Sequence, residues 1–249
     1  MAKKAKTPRA PRTPTAVQAP KKRVDTRKGG GLGSFPRWIW AVVAAVVVGV
    51  AAVAAFAFGG SSSGTSESAV SKAMAAANCT YKTVAPKPPK KDPTNYHADV
   101  PTLSTPTRNL WSTFPPSAGA HYGAWAIWGF YRQPVNPRQV VHNEEHGGVV
   151  IWWGPRVPSS TVDKLEAFYQ EKPEGMMGTP IAGLGNKIAL TAWTGDPANY
   201  YRNGDFGTGH IAICGSFDEK AFRTFRDAFR GKGPEGIPLS ADTPGSGPQ

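Results

Sequence analysis

Between Trp38 and Phe58 the chain runs for 21 residues without a charge, WIWAVVAAVVVGVAAVAAFAF. A helix rising 1.5 Å per residue crosses a hydrocarbon core of roughly 30 Å in about 20 residues, so the run is long enough for one span. Trp38 and Trp40 open it and Phe56 and Phe58 close it, where aromatic rings favour the headgroup boundary. A cleaved signal peptide would carry an apolar region of only roughly 7–15 residues behind a much shorter charged region. The run therefore reads as a retained transmembrane helix over 35–59.

The charge pattern supplies its orientation. Residues 1–37 hold eleven Lys and Arg against Asp25 alone, and so carry +10 of the formal +12. By the positive-inside rule the N-terminus should be cytoplasmic and everything beyond about residue 60 outside. The 18 basic and 16 acidic residues that remain nearly cancel, which removes the argument for nucleic acid as a partner. Residues 1–34 have almost no large apolar side chain and read as a disordered basic tail. Its expected partner is the anionic lipid surface, at about 1 kcal/mol per basic residue. An envelope protein is a second candidate partner.

Residues 60–107 read as a Gly/Ser linker, a short helix over ESAVSKAMAAAN and a Pro-rich extended segment. Signals of a folded domain begin near residue 108 and continue to 230. GGVVIWW (147–153), NKIALTAWT (186–194) and GHIAICGS (209–216) read as strands. SSTVDKLEAFYQEK (159–172) and DEKAFRTFRDAFR (218–230) read as amphipathic helices. The second of these carries a capping-box pattern from Ser216 to Glu219. That order predicts an α+β fold: a small mixed or antiparallel sheet with the two amphipathic helices on one face. Residues 231–249, rich in Gly and Pro, read as a disordered end.

Cys79 and Cys214 are the two cysteines, and both fall on the outer side of the expected span. Oxidation is permitted there, only one intramolecular pairing exists, and no Cys-x-x-Cys pair suggests a redox thiol. A disulfide is the favoured reading.

Chemistry concentrates in residues 115–148. His142 and His146 lie four apart in PRQVVHNEEH, and Pro137 suits a first helical position, so a helix there would turn both rings one way. Glu145 could ligate, orient a ring or act as a base, and His121 offers a third nitrogen. Such a set suits zinc or copper. His142-Asn-Glu-Glu145-His146 also spells the His-x-x-Glu-His of some zinc peptidases, but Gly147-Gly148 would stop the helix where those enzymes continue it. The competing interpretation is structural: histidines holding the Gly-Gly turn or packing among Tyr122, Trp125 and Trp128. His97 and His210 read as incidental. Met176 and Met177 read as core filler before copper ligands, and the many tryptophans as core before a sugar platform.

The blocks PPSAGAHYGAW, WGFYRQPV and VHNEEHGGVVIWWGP resemble a bacterial family catalogued as domain of unknown function 3105. The resemblance covers roughly 79–230 and includes the placement of the two cysteines. It implies a domain outside a bacterial cytoplasmic membrane, often behind an N-terminal anchor, and implies no reaction. Three functions remain open on the sequence. One is a non-enzymatic envelope domain binding a metal through His121, His142 and His146 with Glu145. Another is a metal-dependent hydrolase of envelope material with Glu145 as base. The last is a structural or protein-interaction module.

Overall fold

A computed structural model describes residues 67–92, 94–99, 110–202 and 205–248. The expected basic tail at 1–34 and transmembrane helix at 35–59 lie outside these residues, as does the start of the linker. Among the described residues no helix is long and apolar enough to cross a membrane.

Five strands form one mixed sheet: β1 (Thr80–Val84), β2 (Val149–Trp153), β3 (Met176–Pro180), β4 (Ile188–Thr194) and β5 (Thr208–Cys214), in the order β1-β5-β4-β2-β3. β2 and β3 run parallel, and every other pairing is antiparallel. The connection from β2 to β3 is a helix, α3 (Ser159–Glu171), as a parallel crossover requires. α1 (Glu67–Ala76), α2 (Pro137–Glu145) and α4 (Glu219–Phe229) complete the fold, with a 3₁₀ turn at Tyr96–Asp99. The architecture is α+β.

Alternation along the strands decides which residue serves which face. Val149, Ile151 and Trp153 of β2 join Leu190 of β4 and Ala212 of β5 in one core with Met74 of α1, Leu165 and Phe168 of α3, and Phe222 and Phe225 of α4. Val150 and Trp152 point the other way, into a second cluster with Trp128 and Val140. Phe222 and Phe225 are fully buried, and truncating either to Ala would cost about 3–5 kcal/mol. The cap of α4 is Asp218, whose carboxylate accepts from the Ala221 amide at 2.8 Å, rather than Ser216.

The structure alters the sequence reading in four ways. The two amphipathic helices share one face as expected, but α2 and the 111–135 loops cover the second one. The fold begins by residue 67, not near 108, since α1 packs on α4 and β1 pairs with β5. β1 and β3 leave little pattern in the sequence because β1 is mostly exposed and β3 contains Gly and Pro. Residues 231–248 are not a loose end. Gly231 donates to Gly147 O at 2.8 Å, Gly175 to Asp242 O at 2.8 Å, and Trp128 to Ser246 O at 2.9 Å. Backbone hydrogen bonds hold this segment, and composition does not report them.

Cys79 and Cys214 form a disulfide across 135 residues of sequence, joining the chain before β1 to the end of β5. Met176 and Met177 are buried on opposite faces of the sheet. Trp128, Trp152 and Trp193 are among the largest fully buried side chains, so the aromatic content is mainly core.

Candidate metal centre

The site is assembled around α2. Asn136 caps its start by accepting from the Arg138 amide at 3.0 Å, and Pro137 occupies the first turn without an amide to satisfy. At its end the Gly147 amide donates to Glu144 O at 2.9 Å and the Gly148 amide to Asn143 O at 2.8 Å, a Schellman motif. Gly147 takes φ +110°, and a Cβ there would fall 2.8 Å from the Gly233 amide nitrogen. The two glycines thus stop the helix at Glu145 and leave His146 as its cap. Asn143 fixes the neighbouring loop: its Nδ2 donates to Ala126 O and its Oδ1 accepts from the Ala126 amide, both at 2.9 Å.

That loop carries His121 back over α2, and the 3₁₀ turn brings His97. One ligand atom from each of His97, His121, His142 and Glu145 lies within 4.8 Å of all the others. His121, His142 and Glu145 are 0, 4 and 1 % exposed, while the His97 side chain, at 35 %, forms the solvent edge. His121 Nδ1 faces Gly119 O at 2.6 Å and His142 Nδ1 faces Tyr122 O at 2.8 Å. A carbonyl on Nδ1 holds a proton there, so Nε2 is the nitrogen that each ring can offer to a metal. His121 Nε2 stands 2.8 Å from Glu145 Oε2 and His97 Nε2 stands 3.8 Å from it. All three of these atoms are buried, and the His121 contact is of ion-pair length. Ligands 2.0–2.1 Å from a tetrahedral zinc would be about 3.3 Å apart, and the two distances bracket that value.

Electrostatics prepares the same set. Burial, with the charge of His121 adding to it, pushes His142 down to about 3, so its ring is neutral. Burial alone would raise Glu145, but the attraction of His121 and the contacts of His121, His97 and Tyr200 outweigh it and hold the carboxylate ionised. The other oxygen of Glu145 accepts from Tyr200 OH, and from Tyr201 OH at 3.5 Å. Burial and the Glu145 charge raise both phenols, so each stays a donor. Tyr201 adopts φ +60°, a conformation that a bulky residue rarely takes without tertiary support. Glu144, one residue earlier, is buried towards Thr191 and driven well above the ordinary carboxylate range. Adjacent carboxyls are thus shifted in opposite directions.

His146 stands beside this group. Its Nδ1 is 3.2 Å from Asp242 Oδ1 and its Nε2 3.4 Å from Glu235 Oε2. His142, His146 and Glu235 form a second set of potential ligands within 4.8 Å. Of the residues singled out on sequence, His121, His142 and Glu145 come together directly and His146 lies one ring away, at 4.9 Å from His142. His97 is no bystander: it stacks on His142 at 5.0 Å. Its only sequence signal was a polar Asn-Tyr-His triplet within a Pro-rich stretch. Tyr200 and Tyr201, which follow β4, carried none. His210 lies elsewhere, on the opposite face of the sheet, between Tyr81 OH at 2.9 Å and Thr194 Oγ1 at 2.8 Å.

No curated protein and no solved structure matches this chain. The family model described as "Protein of unknown function (DUF3105)" matches residues 105–240, which contain His121, His142, Glu145, His146 and Glu235 but not His97. That span exceeds half of the sequence, and the chain belongs to this family.

Proposed function

We propose that this protein is a membrane-anchored, non-enzymatic domain on the outer face of a bacterial cytoplasmic membrane that holds one divalent transition-metal ion. His97, His121, His142 and Glu145 are its ligands. The observation that carries the reading is that one potential ligand atom from each of His97, His121, His142 and Glu145 lies within 4.8 Å of all the others in a largely buried pocket. Three imidazoles and a carboxylate, with no thiolate or thioether among them, suit zinc better than copper in its thiolate sites. A neutral His142 and an ionised Glu145 are already in the protonation states that metal ligation needs.

Several features support holding the ion over turning over a substrate with it. Four protein ligands close a zinc site, whereas catalytic sites keep a position open. Glu145, held ionised and fixed by two tyrosines, is a ligand and a poor proton acceptor. The uncharged run at 38–58 and the basic residues before it support the anchor and its orientation. The disulfide suits an oxidising compartment.

The test is elemental mass spectrometry on the purified full chain in detergent, beside His121→Ala and Glu145→Gln variants checked for folding by circular dichroism. The wild type should carry close to one zinc per chain, and both variants should lose it. A wild type that binds no metal after equilibration with zinc would overturn the proposal.

A further inference from the structure

His146 does not share the geometry of the four proposed ligands, and its surroundings are built for something else. Asp242, 1 % exposed, holds the ring through Nδ1 at 3.2 Å. The backbone tie from Gly175 N to Asp242 O at 2.8 Å fixes that residue in turn. A carboxylate on one ring nitrogen turns the other outward as a lone pair. Here the outward nitrogen, Nε2, meets the Glu235 carboxylate at 3.4 Å. Two acceptors facing each other come together over a cation, either a second proton on the ring or a metal ion. Glu235 is itself tied to the inner site, because its amide donates to Glu145 O at 3.4 Å. Its side chain is 33 % exposed, against 1 % for Glu145, so it marks a route from solvent inwards. Trp125 packs over both His142 and His146, at 5.3 and 4.8 Å between ring centres, and covers the step between them.

We infer that His146 and Glu235 form an outer cation position through which a divalent metal ion reaches and leaves the buried site, with His142 as the ligand common to both positions. The inference rests on the inner site being a metal site. His142 belongs to each ligand set, and with Nδ1 committed to Tyr122 O it has one nitrogen to give. The two positions therefore cannot both be filled with full ligation, and the arrangement is a transfer path for one ion. The ion exchanges ligands in sequence: Glu235 and His146 first, then His142 as the hinge, then His121, His97 and Glu145 as the outer pair lets go. Asp242 is a positioning residue that keeps the His146 lone pair directed along this path.

The experiment is stopped-flow loading of the metal-free full chain with cobalt(II), followed by its visible absorption, and release into excess chelator. It compares the wild type with Glu235→Gln and His146→Gln. Both variants should still bind one cobalt ion with the wild-type spectrum and a Kd within about threefold. Loading and release should each slow by about tenfold. Slowed release separates a transfer role from simple attraction, because losing a surface charge would slow loading alone. Asp242→Asn should show the same pattern more weakly. Unchanged release in both variants would overturn the inference, and so would two ions per wild-type chain. A wild type that takes up no cobalt would instead defeat the inner-site reading on which the path depends.

Discussion

Each face of the sheet buries a histidine whose proton affinity is depressed, and the two differ in what their second nitrogen does. His210 faces the core covered by α1, α3 and α4 and is stacked on Phe229 at 3.9 Å. Burial pushes it down to about 4, and both of its nitrogens have partners, Tyr81 OH and Thr194 Oγ1. His142, on the other side, is pushed down to about 3, yet one nitrogen is satisfied by Tyr122 O while the other faces His97, His121 and Glu145. Burial and a shifted pKa therefore do not mark a binding site by themselves. What sets His142 apart is that several potential ligand atoms from distant segments lie within 4.8 Å of it.

The sharpest way to break this contrast is substitution on each side. His121→Ala should weaken zinc binding by about 1,000-fold, or roughly 4 kcal/mol, in a competition assay with a fluorescent chelator, whereas His210→Gln should leave affinity unaltered. Equal losses in the two variants would mean that the faces are not independent.

Replacing Cys79 and Cys214 together by Ser probes the apolar face. Loss of the 135-residue closure should lower stability by about 3 kcal/mol, read as a fall in the urea midpoint. Zinc stoichiometry should stay at one, and its loss would show that the disulfide supports the site.

His210 also predicts a pH dependence. Below about 6.5 the unfolded chain protonates this ring, while the folded chain resists until about 4. The folded state then binds fewer protons, so stability falls as pH drops through that window, by on the order of 2 kcal/mol. Urea titrations of His210→Gln should give a correspondingly flatter profile than the wild type between pH 4 and 6.5. A profile parallel to the wild type would assign the slope to other groups.

The smallest expected effect is at Tyr200. Tyr200→Phe removes the hydroxyl that donates to Glu145 and should weaken zinc binding by about tenfold, without lowering stoichiometry at saturating metal. No change on isothermal titration would make the phenol a packing residue only.

Much of the fold was readable because periodicity reports burial. The Phe spacing of α4 and the β-branched run of β2 each follow the face they bury. The end of α2 was readable from Gly147, whose positive φ admits no ordinary side chain, and from Gly148, where a Cβ would meet Asn143 O at 2.6 Å. β1 and β3 were not, since an exposed edge strand and a five-residue strand with Gly and Pro leave little pattern. Within the site, His121, His142 and Glu145 stood out by density in one stretch. His97, Tyr200 and Asp242 gave no comparable signal because their neighbours in sequence are not their neighbours in space.

By itself the sequence determined the α+β elements of the domain, the stop of α2, the single possible cysteine pairing and the candidate identity of three ligands. Those follow from local rules of spacing, backbone conformation and composition. Only the tertiary structure decided that His97 joins the cluster, that Glu145 and Glu144 are shifted in opposite directions, and that His146 turns to Asp242 and Glu235. A ligand set or a shifted pKa is a property of atoms brought within a few ångströms by the folding of distant segments, and no local pattern encodes that distance.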